Sequence, residues 1–512
     1  MSLNEALLDN EEAGQDTALI DNDNGSPTTR ANPEFGEDQP RRLRDVLFSI
    51  AFYAHLIIVL CAAVGYGLPA AGDYGDSGDS DDKDVDYEGL LYFAMTAAAV
   101  ALVTSAVIVS LLAYFAKIIV KLGLYFSVIA MSIVTVTAAS MAEWIIFPIA
   151  LVVFFIMMFY IRSMWRRIPF ASANLGVATK AIRSNVGGLM IAYFLGFITF
   201  SWVVIWILAL IGKLSFILCY QKAFLTSLFS GLYDETSDCK ILEADCDNRP
   251  DMLYLFLLFV SFFWTYSVIN GVVAVTYARI VGTWWSRPGV VSTSCCSKTI
   301  KDALSRAAIW SFGSICFGAL ITAIIRALRT LIRFAQRQSE SVDCGCCLCC
   351  FQCLLSCLDG VFRFINRYAL VYVGLYGYNF RTAGSKVWDL FQARGWDGVI
   401  GDSLIESTLF FISLAVGGFS GLVGLTLERA HENWFEAFGS ESEITGFGIG
   451  FLIGYIICGI LINVLDASTA TVIVLFAEYP SDLKLYHPSL FEELKASYIR
   501  AYPDECKKNH GD

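Results

Sequence analysis

The sequence is poor in charge. Lys, Arg, Asp and Glu together make up 16% of its 512 residues, against roughly 25% in an ordinary soluble domain. A water-soluble globular protein is excluded on that ground. Histidine is scarcer still: His55, His431, His487 and His510 are the full set, and they are scattered. No Walker A sequence and no His-Glu-x-x-His occurs. An intramembrane hydrolase needs a Ser–His, Asp–Asp or metal group, and none can be assembled. No enzyme is expected, and neither a cofactor nor a bound metal. Nothing in the charge pattern suggests nucleic-acid binding. The first 40 residues are polar and acidic, so no cleavable leader is expected. The sole N-x-S/T sequon, Asn24-Gly25-Ser26, lies in that tail.

What is abundant is apolar sequence, at 56%. Runs long enough to cross a hydrocarbon core of about 30 Å recur along the chain. Ten spans are expected, near 46–68, 89–116, 122–140, 143–161, 187–212, 252–282, 307–334, 347–378, 403–428 and 446–476. The fold class is all-α, a polytopic transmembrane helical bundle. Basic residues set the orientation. Arg41, Arg42 and Arg44 precede the first span, Lys117 and Lys121 follow the second, and Arg162, Arg166 and Arg167 follow the fourth. Arg279, Arg287, Lys298 and Lys301 mark the next inside loop. Both termini are thus expected in the cytosol.

The net charge of −12 sits mostly outside the spans. Residues 1–45 read as a disordered acidic cytosolic tail, 46–476 as the transmembrane core, and 477–512 as a cytosolic C-terminal tail. The acidic outside loop 69–88 reads as solvated chain or as a vestibule that concentrates cations. Cys239 and Cys246 fall in the outside loop 231–251, where a disulfide between them is a candidate. The Cys-rich segment 344–357 has no neighbouring His and is too crowded for a zinc site; palmitoylation or buried packing suits it better. Residues 168–186 suit an amphipathic helix lying on the inner membrane surface. Gly446, Gly450 and Gly454, with Gly417 and Gly421, form small-residue stripes that favour close packing, within the chain first and between copies second.

Ionisable residues inside spans are costly and mark function by default. The eighth apolar segment carries Asp359, Arg363, Asn366 and Arg367, so an interrupted helix is expected there, of the kind transporters use at substrate sites. Glu143 stands beside Trp144 at the start of the fourth span. Asp402 and Glu406 open the ninth, and Asn463 and Asp466 share a face deep in the tenth. Trp264, Tyr266 and Asn270 lie in the sixth, where aromatic faces suit a quaternary ammonium ion. Packing or an interfacial belt is the structural alternative for such aromatics. The tentative substrate-binding set is Trp144, Glu143, Trp264, Tyr266, Asn270, Asn463 and Asp466.

The order SFGSICFGALITAIIRALR, the Cys cluster, INRYALVYVGLYGYNF and RGWDGVIGDSL resembles the choline transporter-like family, the solute carrier 44 group, and within it the Pns1-like branch. The tail AEYPSDLKLYHPSLFEEL is similar too. The resemblance implies about ten helices with cytosolic termini, and a partner that is choline or a related quaternary or primary amine cation. It also implies an acid near the end of the last helix, where Asp466 stands. Animal members carry a large outside loop after the first helix; here that loop is short. Facilitated transport by alternating access, driven by membrane potential, is the expected function. The alternative is a membrane protein that regulates lipid homeostasis or vesicle traffic without carrying choline. The plasma membrane is the expected location and endomembranes the alternative; the sequence assigns no oligomeric state.

Overall fold

A segment inside a bilayer must satisfy its own backbone, and a helix is how a single segment does so. The computed structural model describes residues 37–67, 87–140, 146–211, 252–287, 297–338, 342–393, 404–431 and 442–502, with Ser294 and Trp434 besides. Among them there are helices and no β-strand. In chain order they are α1 (Val46–Ala62), α2 (Tyr87–Ser140), α3 (Ile146–Met164), α4 (Ile168–Ser184), α5 (Gly187–Ile211) and α6 (Met252–Ser286). Then follow α7 (Lys298–Ser305), α8 (Phe312–Gln338), α9 (Val342–Tyr376), α10 (Phe380–Ala393), α11 (Leu404–Ala430), α12 (Ser442–Glu478), α13 (Pro480–Tyr486) and α14 (Pro488–Ala501). Among the described residues six stretches are long and apolar enough to cross a membrane: Val46–Gly65, Tyr92–Leu112, Leu255–Ser286, Phe312–Arg333, Leu404–Ala430 and Ser442–Glu478. The pair α4 and α5, bent by 93°, makes a seventh if it is one span.

The expected spans 89–116 and 122–140 share one continuous helix, α2, whose only non-helical backbone is at Phe115. Its partners make the bend sharp. Phe93 packs on Gly424 of α11 and Phe126 on Phe411 of the same helix. A straight helix would separate Phe93 and Phe126 by about 50 Å, whereas their partners are about 20 Å apart along α11.

The helix α4 corrects an expectation. It does not lie bare on a surface: Phe170, Leu175, Val177, Ala178 and Ile182 are among its buried residues. One side packs on α2 and α12, and the other is covered by α14, with Phe170 edge-on to Tyr498 and Tyr502. Pro169, Ser172, Gly176, Lys180 and Arg183 recur every three or four positions and leave one narrow less-buried strip, while two layers cover the rest of α4.

The helix α9 corrects another. It runs unbroken from Val342 to Tyr376 through all its charges. Side chains from neighbouring helices satisfy those charges, so the backbone need not open. The helix ends at Gly377, whose φ of +80° a side chain would strain; a Cβ there would also lie 2.6 Å from Arg306 Nη1.

The glycine stripes are used within the chain. A Cβ on Gly450 would stand 2.7 Å from the Ser420 carbonyl, and one on Gly454 would overlap Ser420 Oγ. Backbones of α11 and α12 therefore touch, as small-xxx-small stripes allow.

Residues 37–45 strap the basic end of the bundle. Asp38 pairs with Arg306 at 2.9 Å and Arg279 at 3.4 Å, and Arg41 with Asp302 at 2.6 Å. The Gln39 amide donates to the Tyr376 carbonyl at 2.7 Å. Asp45 Oδ2 accepts from Ser314 Oγ at 2.6 Å and from the Phe380 amide at 3.3 Å. The C-terminal segment reaches the same end, where Trp285 Nε1 donates to the Tyr479 carbonyl.

Candidate functional site

Four helices bring polar groups to one seam. On α6, Tyr266 and Asn270 are one turn apart and share a face. On α12, Asn463 faces them, and its Nδ2 donates to Asn270 Oδ1 at 2.9 Å. One turn further along α12, Asp466 meets Arg367 of α9 at 2.5 Å. Arg367 also reaches Glu406 of α11 at 3.4 Å. Pairing each ion is what makes charge tolerable at this depth.

The seam is open. Glu406 keeps 44% of its side-chain surface accessible and Asp466 29%, against 14% for Arg367. Two carboxylates share one guanidinium, so the group carries a net charge of −1 when all three are ionised. Among these three described groups one carboxylate charge is therefore left over, at the surface of the helix bundle. Tyr266 is 42% exposed.

The structure divides the expected site residues. Tyr266, Asn270, Asn463 and Asp466 line the seam. Trp264 does not: six residues before Asn270, it sits about 120° away around α6. Its ring stacks on His55 at 4.6 Å and meets Phe52 edge-on at 5.3 Å, and its Nε1 donates to the Cys316 carbonyl at 3.0 Å. His55 in turn contacts Thr265 Oγ1 at 3.2 Å through Nε2. Glu143, Trp144, Asp402, Cys239 and Cys246 lie outside the described residues. Of the Cys cluster, Cys353 and Cys357 are exposed free thiols.

Sequence reasoning undervalued Arg367. It read as one of four polar residues that would interrupt a helix, whereas it is the cation that joins two carboxylates from two other helices. The available signal was an Arg well inside an apolar run, with unpaired acids in two later runs.

A second ionic group lies on the same helix, towards the other end of the bundle. Asp359 is 4% exposed and is held by Arg329 at 2.6 Å, Arg363 at 3.2 Å and Arg326 at 3.7 Å.

The family described as plasma-membrane choline transporter matches residues 148–481. Relatives extend beyond that region. Protein PNS1 of Kluyveromyces lactis is 26% identical over 498 residues, covering 93% of this chain and 84% of its own. Protein PNS1 of Mycosarcoma maydis is 28% identical, covering 79% and 73%. Protein PNS1 of Cryptococcus neoformans is 25% identical, covering 95% and 86%.

Proposed function

This chain belongs to the plasma-membrane choline transporter family, a multi-pass membrane transporter rather than an enzyme, and we propose that its cargo is choline or a related small organic cation. One observation supports this above the others: the open group of Asp466, Glu406 and Arg367 carries a net −1. A monovalent cation entering the seam neutralises it. The aromatic face of Tyr266 suits a methylated ammonium, and the Asn270–Asn463 amide pair provides hydrogen bonding for a hydroxyl. Glu143 and Trp144 extend this reading to the start of the fourth span. Trp264 supports the seam from behind, through its packing on His55.

Transport proceeds by alternating access. The strap at residues 37–45 closes the basic end, so cargo release there requires the Asp38 pairs with Arg306 and Arg279 to part. Both termini then face the cytosol, in the plasma membrane. No coupling ion is required. A potential of 100 mV supplies about 2.3 kcal/mol per charge, which sustains roughly fiftyfold accumulation.

The test is radiolabelled choline uptake into proteoliposomes of the purified protein, with and without an inside-negative potential. Saturable uptake that rises with the potential and is competed by unlabelled choline is expected. Absence of uptake by well-folded, reconstituted protein would overturn the choline assignment.

A further inference from the structure

At the strapped end of the molecule, away from the seam, lies a cavity of about 560 Å³. Three parts of the fold wall it: the bend of α2 with Tyr114, the end of α4 with Lys180, Arg183 and Ser184, and the end of α6 with Trp284. His487, at the junction of α13 and α14, completes the lining with Leu490. No lining residue is acidic. Lys180 and Arg183 are exposed, and neither has an acidic partner among the described residues. Arg183 lies over the Tyr114 ring at 5.5 Å. His487 stacks on Trp284 at 4.3 Å, and its buried Nε2 has no hydrogen-bond partner among the described residues. Burial lowers the His487 pKa, a backbone bond to Trp284 opposes this, and the Lys180 ammonium adds to the lowering.

Two cations without an acidic partner among the described residues, and an imidazole nitrogen without a hydrogen bond among them, line one opening and suit an anion. The volume lies in the range of small-molecule pockets, larger than a bare phosphate needs. The surroundings indicate where the anion comes from. Leu485 is 71% and Tyr486 44% exposed just before His487, and Phe115 is 49% and Ile118 54% exposed just after Tyr114. Apolar side chains on both sides of a basic cavity suit acyl chains below a headgroup. We propose that this cavity binds the phosphate monoester of an anionic phospholipid headgroup in the leaflet at the strapped end. Lys180 and Arg183 balance the phosphate charge, which is about −1.5 to −2 for a monoester at neutral pH. His487 donates or accepts at Nε2. Trp284 and Tyr114 flank the headgroup. Such a lipid would bridge α2, α4, α6 and α14.

The experiment measures binding of dioctanoyl phosphatidylinositol 4-phosphate to the full-length purified protein in detergent, by native mass spectrometry and by quenching of tryptophan fluorescence. Dioctanoyl phosphatidylcholine and inorganic phosphate serve as competitors. Binding is expected with the phosphoinositide, with little competition by either. The paired change Lys180→Gln and Arg183→Gln should weaken it about thirtyfold, taking roughly one charge's worth of surface attraction per residue. The pair Lys495→Gln and Arg500→Gln, on α14, should leave it unchanged. Equal binding of phosphatidylcholine, or undiminished affinity in the first pair, would overturn the site. Competition by inorganic phosphate at similar concentration would overturn the lipid source and assign the cavity to a soluble phosphate. Thermal unfolding of each variant identifies misfolding, and His487→Gln, which keeps a polar nitrogen, provides an independent variant expected to weaken binding less.

Discussion

The two ionic groups on α9 are built from the same chemistry and serve opposite ends. Asp359 and Arg367 are eight residues apart, about 12 Å along the helix. At Asp359 the single carboxylate is 4% exposed and three arginines converge on it. The acid is the buried member, its shell is cationic, and the group ties α8 to α9. At Arg367 the guanidinium is the more buried member and two carboxylates from α11 and α12 hold it from the open side. The difference lies in which sign is sealed in and which is presented to the opening. A sealed acid among arginines repels a cation and does no more than hold helices together. In the proposed reading, a sealed arginine among more exposed acids leaves one carboxylate charge for a guest. Counting intramembrane charges does not separate the two; their relative burial does.

Substitution at Asp359 should have the largest effect. Asp359→Asn leaves three arginines without a counterion, and breaking one side of a buried pair destabilises by about 3–5 kcal/mol. Loss of folded protein on purification, or a large fall in thermal unfolding temperature, is the expected result. If Asp359→Asn folds normally and only transport suffers, the division between a structural and a transporting group is wrong. Next comes Asp466→Asn, which takes the seam from −1 to neutral while Arg367 keeps Glu406. A unit charge about 6 Å from a cation at an effective dielectric of about 20 contributes roughly 2.8 kcal/mol. Choline affinity should therefore fall on the order of a hundredfold, with a small change in unfolding temperature. Arg367→Gln sharpens the contrast, because it takes the seam to −2. Both KM and kcat for uptake should fall, the cargo being held more tightly and released more slowly. A rise in KM in that variant would show that Arg367 positions the acids more than it offsets them.

How much of this was readable beforehand depends on distance along the chain. The helices were legible, because an apolar run carries its own evidence. Asn270, Asn463 and Asp466 were legible as polar residues where lipid-facing sequence tolerates few. Their grouping was not, since Asn463 finds Asn270 and Asp466 finds Arg367 only through the packing of α6, α9 and α12. The same limit explains the interrupted helix expected in α9. With Arg329 and Asp466 out of view, unwinding looked like the way to accommodate Asp359 and Arg367. The bend at Phe115 has neither Pro nor Gly at its centre; Lys117 and Lys121 beside it marked a break between two spans, but not that one helix continues through it. The burial of α4 depends on α14, more than 300 residues later.

The amide pair and the tryptophan set the smaller tests, and they locate the edge of the site. Asn463→Ala removes the bond to Asn270, which contributes about 1 kcal/mol, so KM should rise about fivefold. Trp264→Phe should be the mildest. It keeps an aromatic ring against His55 and Phe52 but loses the Nε1 bond to the Cys316 carbonyl. That substitution should lower stability by about 1 kcal/mol and leave KM where it was. The reasoning is geometric: Trp264 points about 120° away from the Asn270 face, so a cation in the seam does not meet its ring. Uptake kinetics beside an unfolding curve decide the matter. A higher KM with unchanged stability would move the cargo towards the cluster of His55, Phe52 and Trp264. The carboxylates of the seam would then act as a gate that the cation passes, with its resting place among aromatic rings one helix face away.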